Sequence, residues 1–238
     1  MSIKAILFDL DGTLLPMNQD EFLKMYFKAI TEFVCYAGEH EPQSFMKAMW
    51  RGISAMQNND GKNTNDVIFF TELEKEFGAY RVEKDIQLFD RFYHEKFASV
   101  KEACAFSPYS RKIIDFLKTK DVKIILATQP VYPKIATDTR MSWGGIYPSD
   151  FDLVTYYDNI GYCKPNVKYY GEIANRIGVL PSECLMVGND TRDDLSCKEL
   201  GMDIYLITDC LINEKHIDIS EYKNSSLENF YNYLQKNL

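Results

Sequence analysis

The sequence predicts an α/β fold: a doubly wound, mostly parallel sheet whose first strand is followed by a long helical insert. Three observations carry this expectation. A short apolar run from Ile3 to Phe8 ends in two aspartates, Asp9 and Asp11, one residue apart. Residues 20 to 100 carry apolar side chains at helical spacing with almost no strand pattern. From Ser107 onward, helical and strand patterns alternate, as βαβ units require.

The near-continuous run Ile3, Ala5, Ile6, Leu7, Phe8 suits a strand covered on both faces. The insert opens after Asp20, a capping candidate, with a face of Phe22, Tyr26, Ala29 or Ile30, and Phe33, ending before Gly38. A second face, Phe45, Met49, Ile53 and Met56, follows Pro42. Two further helices are expected over 65–77 and 82–98. The polar stretch Gln57 to Thr64 reads as a loop between helical pairs, so the insert is expected to be a four-helix or similar unit. Beyond it come a helix (108–121), two strands (122–128 and 151–157), a helix (166–178), a strand (183–188), a helix (194–201), a strand (203–208) and a final surface helix (228–238).

With 238 residues, 46% of them hydrophobic, the chain can bury a substantial core as one large domain or a core with an insert. Its apolar runs are far shorter than a bilayer span, and the N-terminus lacks a secretory pattern; the expectation is a soluble, cytoplasmic protein with no membrane partner. Six cysteines without CxxC spacing indicate neither a zinc site nor a disulfide framework. A formal net charge of −8 disfavours nucleic acid as a partner, so any anionic substrate must be held by local groups.

In open α/β sheets, functional groups gather beyond the carboxyl ends of the strands. There the first strand contributes Asp9, Asp11, Gly12 and Thr13, and the second contributes Thr128 and Gln129. Lys164 with Pro165 follows the third, and Gly188, Asn189, Asp190, Asp193 and Asp194 follow the fourth. Clustered carboxylates repel one another unless a cation lies among them, and oxygen donors of this kind suit Mg²⁺. Thr128, Lys164 and backbone N–H groups near Gly12 would hold a tetrahedral anion beside the metal. Asp9 is then placed as nucleophile, and Asp11, two residues on and facing the same way in extended chain, as the acid that protonates a leaving alcohol and the base that deprotonates water.

FDLDGTLL, ILAT, the Lys164–Pro165 pair and MVGNDTRDD, in this order and at strand ends, resemble the four motifs of the haloacid dehalogenase superfamily of aspartate-nucleophile phosphatases. The resemblance covers nearly the whole chain and implies a Rossmann-like core (1–16 plus 105–238) with a helical cap domain (17–104), hinged near 15–19 and 97–107. Carried over, it makes Asp9 nucleophile and metal ligand, and Asp11 acid/base with its carbonyl on the metal. Thr128 becomes a phosphate ligand, with Gly12, Thr13 and Gln129 also in the substrate site, and Lys164 neutralises Asp9 and the phosphoryl group. The fourth motif usually reads Gly-Asp, whereas Gly188 is followed by Asn189 and then Asp190, leaving either as the Mg²⁺ ligand. Asp194 is expected to hold metal-bound water, with Asp193 as the competing choice. Gln129 stands where the family often has Asn.

Simpler readings exist for single residues: Thr128 alone could be a helix N-cap, Lys164 a surface lysine, and Asp193 or Asp194 a complement to a helix N-terminus. The insert aromatics Trp50, Phe69, Phe70, Phe89 and Phe92 read mostly as core. His40, His94 and His216 do not cluster and read as surface or satisfied core positions. The expected activity is Mg²⁺-dependent hydrolysis of a small phosphorylated metabolite through an aspartyl phosphate. Phosphomutase or other phosphotransfer is the alternative; a dehalogenase would have no alcohol for Asp11 to protonate. A phospho-accepting signalling module or a binding protein is a third possibility, although receiver domains are about half this size and have no helical insert.

Overall fold

The computed structural model describes residues 3–38 and 40–238. Six parallel strands form one sheet in the order β3-β2-β1-β4-β5-β6: β1 (Ala5–Phe8), β2 (Lys123–Leu126), β3 (Leu153–Val154), β4 (Cys184–Gly188), β5 (Asp203–Ile207) and β6 (Lys223–Ser225). β1 lies between β2 and β4, with Phe8 beside Leu126 on one side and Val187 on the other. Strand order therefore reverses at β1, which opens a crevice beyond its carboxyl end.

Side-chain alternation sorts the strands' apolar residues onto two faces. Phe8, Leu126, Val187 and Ile207 belong to one core, with Ile113, Ile114 and Leu117 of helix α5 (Pro108–Leu117) and Phe230 and Leu234 of α8 (Leu227–Asn237). Leu7, Ile125, Met186 and Leu206 belong to the other, with Tyr169, Tyr170 and Ile173 of α7 (Val167–Ile177). Both faces are covered, which explains why the first strand reads as an unbroken apolar run.

Between β1 and β2 lie four helices: α1 (Gln19–Gly38), α2 (Pro42–Gln57), α3 (Asn65–Phe77) and α4 (Ala79–Glu95), followed by a 3₁₀ segment, Phe97–Ala103. The N-terminal cap of α1 is Asn18, whose Oδ1 accepts from the Glu21 N–H at 3.1 Å, rather than Asp20. Glu41 caps α2 by accepting from the N–H groups of Gln43 and Ser44, with Pro42 in the first turn where no N–H is needed. The two chain crossings run antiparallel: Asn18 N–H donates to Ala103 at 3.0 Å, and Ala105 N–H to Pro16 at 2.7 Å.

Four elements depart from the sequence reading, one of them the edge strand β6, which lies where no strand is expected. The strand expected over 151–157 is reduced to Leu153–Val154, and the helix expected over 194–201 is a 3₁₀ segment, Leu195–Leu200. Helix α6 (Lys134–Trp143) lies where no helix is expected, because its Thr137-Asp138-Thr139 centre is a weak helix-forming run. Burial of Ala136, Met141 and Trp143 outweighs that local preference. Among the described residues no helix is long and apolar enough to cross a membrane, and all six cysteines are free.

Candidate active site

β1 delivers its terminal carboxylate into the crevice. The Asp9 N–H donates to Val187 at 2.9 Å, continuing the pairing with β4, after which the chain turns sharply at Gly12. Gly12 has φ +87°, and a Cβ there would lie 2.3 Å from the Asn189 side chain, so both conformation and space demand glycine. The Gly12 N–H donates to Leu15, the Thr13 N–H to Leu10, and the Thr13 hydroxyl to Asn189 Oδ1 at 3.0 Å. Gly12 and Thr13 thus shape the turn and present no free donor. Among the described residues, the amides of Leu10, Asp11 and Leu14 in this turn donate to no protein acceptor, and those of Leu10 and Asp11 precede Gly12.

Lys164 joins two strand ends. Its Nζ lies 2.7 Å from Asp9 Oδ1 and 2.7 Å from Asp194 Oδ1, and it is 2% exposed. Burial disfavours the ammonium, but the carboxylates of Asp194 and Asp9 outweigh it and hold the Lys164 pKa well above the usual lysine range. Burial pushes the Asp9 carboxyl up to about 7, with Lys164 opposing the rise and the neighbouring Asp194 and Asp11 adding to it. The two cations of the site, Lys164 with Asp9 and Asp194 and Arg140 with Asp11, do not balance its carboxylates once Asp190 and Asp193 are counted.

After β4, Asp194 is fully engaged: Oδ2 accepts from the Asp190 N–H at 3.0 Å and Oδ1 from Lys164. A Cβ at Gly188 would lie 2.0 Å from Asp194 Oδ2, so glycine at 188 lets this carboxylate lie against the strand. Asn189 is engaged at both ends of its amide, through Thr13 and through the Cys210 carbonyl at 2.7 Å, and fastens the β4 loop to the β1 and β5 loops. Asp190 accepts through Oδ1 from the N–H groups of Arg192 and Asp193, leaving Oδ2 free. Asp193 faces Gln129 instead, at 3.2 Å, and burial raises its carboxyl to about 6.

Thr128, beyond β2, is 1% exposed and its hydroxyl has no hydrogen-bond partner. Its carbonyl is held by Tyr169 Oη at 2.7 Å and Thr155 Oγ1 at 3.0 Å. Gln129 lines the site cavity and the larger one adjoining it, and its amide brackets the Lys164 backbone, donating to the carbonyl at 3.0 Å and accepting from the N–H at 3.0 Å. The extra methylene relative to Asn lets the amide reach across and position the loop that carries Lys164.

Arg140 is a site residue that the sequence reading missed. It lies on α6, wholly buried, and donates from Nη1 to Asp11 Oδ2. The other Asp11 oxygen, Oδ1, is buried without a partner. No local signal marks Arg140, because its partner lies 129 positions away.

Asp9, Asp11, Thr128, Lys164, Asn189, Asp190 and Asp194 converge on one cavity of about 50 Å³. Among the described residues no three His, Cys, Asp or Glu side chains form a metal-binding group by themselves. A mixed oxygen set fits Mg²⁺ instead: the carboxylates of Asp9 and Asp190 with the Asp11 carbonyl, which accepts no main-chain hydrogen bond among the described residues. The surplus of carboxylates over Lys164 and Arg140 agrees with that fit, and the unpartnered hydroxyl of Thr128 is open to an anion beside it.

A second cavity of about 220 Å³ adjoins the first, sharing Asp11, Gln19, Gln129 and Asp193, and extends toward the insert. Trp50, Phe69, Phe70 and Phe89 line it, whereas Phe92 lies in the core away from it. The expectation that these aromatics serve mostly as core holds for Phe69, Phe89 and Phe92, with Phe70 packed against them, whereas Trp50 is half exposed; Phe69 and Phe89 are cavity wall as well. His40 is a satisfied core position, with Nε2 2.8 Å from Asp85.

The family model for haloacid dehalogenase-like hydrolases matches residues 3–201. A glyceraldehyde 3-phosphate phosphatase from Methanothermobacter thermautotrophicus is 28% identical over 86% of this chain and 85% of its own. A protein of the same name from Methanocaldococcus jannaschii is 26% identical over 95% and 94%. The crystal structure of a 2-haloacid dehalogenase from Pseudomonas syringae superposes with a TM-score of 0.65 at 15% identity, covering 99% of this chain and 100% of that one, a likeness of fold.

Proposed function

The chain belongs to the haloacid dehalogenase-like hydrolase family, and from that membership we propose that it is a Mg²⁺-dependent phosphomonoesterase acting on a small phosphorylated metabolite through a phosphorylated Asp9. The observation that carries the reading is Lys164 Nζ, 2.7 Å from both Asp9 and Asp194, beside the partnerless hydroxyl of Thr128 and the free oxygen of Asp11. The names of the two archaeal relatives support a phosphomonoester as substrate.

In the proposed reaction, Asp9 attacks phosphorus and the bond to the alcohol oxygen breaks, so the phosphoryl group passes to the carboxylate. Asp11 delivers a proton from Oδ1 to the departing oxygen, its Oδ2 being held by Arg140. Water then attacks the acyl phosphate, Asp11 takes its proton, and Asp9 is restored. Lys164, the Thr128 hydroxyl and the amides of Leu10 and Asp11 hold the phosphoryl oxygens throughout. Asp9, the Asp11 carbonyl and Asp190 would hold Mg²⁺, which would supply positive charge to stabilise the phosphoryl oxygens. Asp194 and Gln129 act through Lys164 by fixing its position.

Residues 17–104 are read as a cap domain over a core of 1–16 plus 105–238, closing on the crevice to exclude water during transfer. A cytoplasmic location accords with a small-metabolite substrate. Phosphate release from p-nitrophenyl phosphate tests the reading: turnover with Mg²⁺, loss with a chelator and loss in Asp9→Asn support it. A stable phosphoprotein without release would move the assignment to a phospho-accepting protein, and transfer to a second hydroxyl would move it to a mutase.

A further inference from the structure

The larger cavity has a chemistry of its own. Its wall includes Phe22, Phe27, Trp50, Ile53, Phe69 and Phe70, from α1, α2 and α3. Among the described residues lining it, the only charged side chains are Asp11 and Asp193, both at the end shared with the smaller cavity; no Lys, Arg or His faces it. The hydroxyls of Tyr26 and Tyr93 in the same wall bond each other at 2.8 Å. Because it opens onto Asp11, the proposed proton donor, this cavity lies where the alcohol portion of a phosphomonoester held at Asp9 extends.

We propose that the substrate is a phosphomonoester of an uncharged, apolar alcohol about the size of one substituted aromatic ring; this rests on the phosphomonoesterase reading above. Size follows from volume: a dry cavity of about 150 Å³ holds benzene, and this one is about 220 Å³. Polarity follows from the wall. A second phosphate or a carboxylate on the alcohol would enter without a countercharge and approach two aspartates. Of the wall's uncharged polar side chains, Gln19 and Gln129 lie at the end shared with the smaller cavity and the Tyr26 and Tyr93 hydroxyls bond each other, so a polyol would meet only Trp50, Gln57, Tyr132 and Tyr157 as further hydrogen-bonding side chains among the apolar ones. Three-carbon substrates such as glyceraldehyde 3-phosphate would leave most of the cavity unfilled.

The test compares kcat/KM for ethyl, n-butyl and 2-phenylethyl phosphate with that for glyceraldehyde 3-phosphate, glycerol 3-phosphate and phosphoglycolate. Rates are expected to rise about fourfold per added methylene, and 2-phenylethyl phosphate to exceed the polar esters by on the order of fiftyfold, as for burying one Phe-sized group. Ile53→Arg, at a half-buried wall position on α2, is expected to reverse the preference toward phosphoglycolate. In parallel, 2-phenylethanol is titrated while following tryptophan emission, with Trp50→Phe as the control that removes the signal.

Equal rates across the series, or a preference for the polar esters, together with no Trp50 response, overturn this inference and leave the phosphomonoesterase reading standing. A saturable Trp50 response with no ester hydrolysed overturns the phosphomonoesterase reading and supports the apolar character of the cavity.

Discussion

Arg140 donates from Nη1 to Asp11 Oδ2, and its guanidinium lies 4.2 Å from the ring centre of Tyr132. A wholly buried cation therefore holds one oxygen of the proposed acid/base residue and leaves the other for proton transfer. The pair is asymmetric, since Arg140 is inaccessible while the Asp11 side chain is 18% exposed. Asp11→Ala strands a buried guanidinium and is expected to lower stability by about 3–5 kcal/mol. Arg140→Met removes the buried charge itself and is expected to cost less stability while lowering kcat at least tenfold through a misplaced Asp11. Urea unfolding and steady-state kinetics on both variants separate these outcomes; equal stability losses would contradict the asymmetry.

The two aspartates of the β1 loop are expected to fail differently. Asp9→Asn leaves no nucleophile and should show no turnover and no phosphoenzyme. Asp11→Asn keeps a hydrogen-bonding group beside Arg140 and should phosphorylate slowly, then stall, because no base activates water. Intact-mass measurement after incubation with a phosphomonoester and Mg²⁺ should find the added phosphoryl group in Asp11→Asn only.

The β4 loop divides its work between adjacent residues. Asp190, with one oxygen free, is expected to carry metal affinity: Asp190→Asn should raise the Mg²⁺ concentration for half-maximal thermal stabilisation at least tenfold. For wild type, saturation at a hundred times Kd corresponds to about 2.7 kcal/mol. Asn189→Ala should instead lower stability in the absence of metal by about 1–3 kcal/mol, because it breaks the bonds to Thr13 and Cys210. Melting curves across a Mg²⁺ series read both effects, and the opposite assignment would make Asn189 the ligand.

Gln129 brackets the backbone of Lys164. Gln129→Leu is expected to lower kcat by tenfold or more, leaving KM for small esters within about threefold, because it loosens the loop that holds the ammonium rather than a substrate contact. An effect confined to KM would place the amide on the substrate.

The insert carries a polar cluster of its own. Asp85 is 1% exposed, with Oδ2 2.8 Å from His40 Nε2 and Oδ1 3.6 Å from Arg81 Nε. Asp85→Ala leaves His40 without its acceptor and is expected to lower stability by about 1–3 kcal/mol. Phosphate release per folded molecule should be unchanged, as measured by circular dichroism alongside activity.

Much of the site was legible along the chain. Asp9, Asp11, Thr128, Lys164 and Asp194 each follow a strand, and strand ends on one side of a parallel sheet meet at one crevice whatever the details of packing. The apolar run of β1 and the alternation after Ser107 carried the sheet, because burial on both faces leaves a compositional trace. Other features left none. Helix α6 has no clear apolar period and forms because tertiary burial favours it; Arg140 rides on it and finds its partner 129 residues away.

The sequence by itself determined the α/β class, the helical insert and the carboxylate and lysine positions, since local periodicity and strand-end chemistry depend only on near neighbours. Tertiary structure alone decided that Gln129 serves the Lys164 loop, that Asn189 fastens loops together, that Arg140 holds Asp11, and that insert aromatics line a cavity. Each depends on how separated elements pack and rotate against one another: Phe89 and Phe92 share one helix and one core, yet only the orientation of α4 makes Phe89 cavity wall as well.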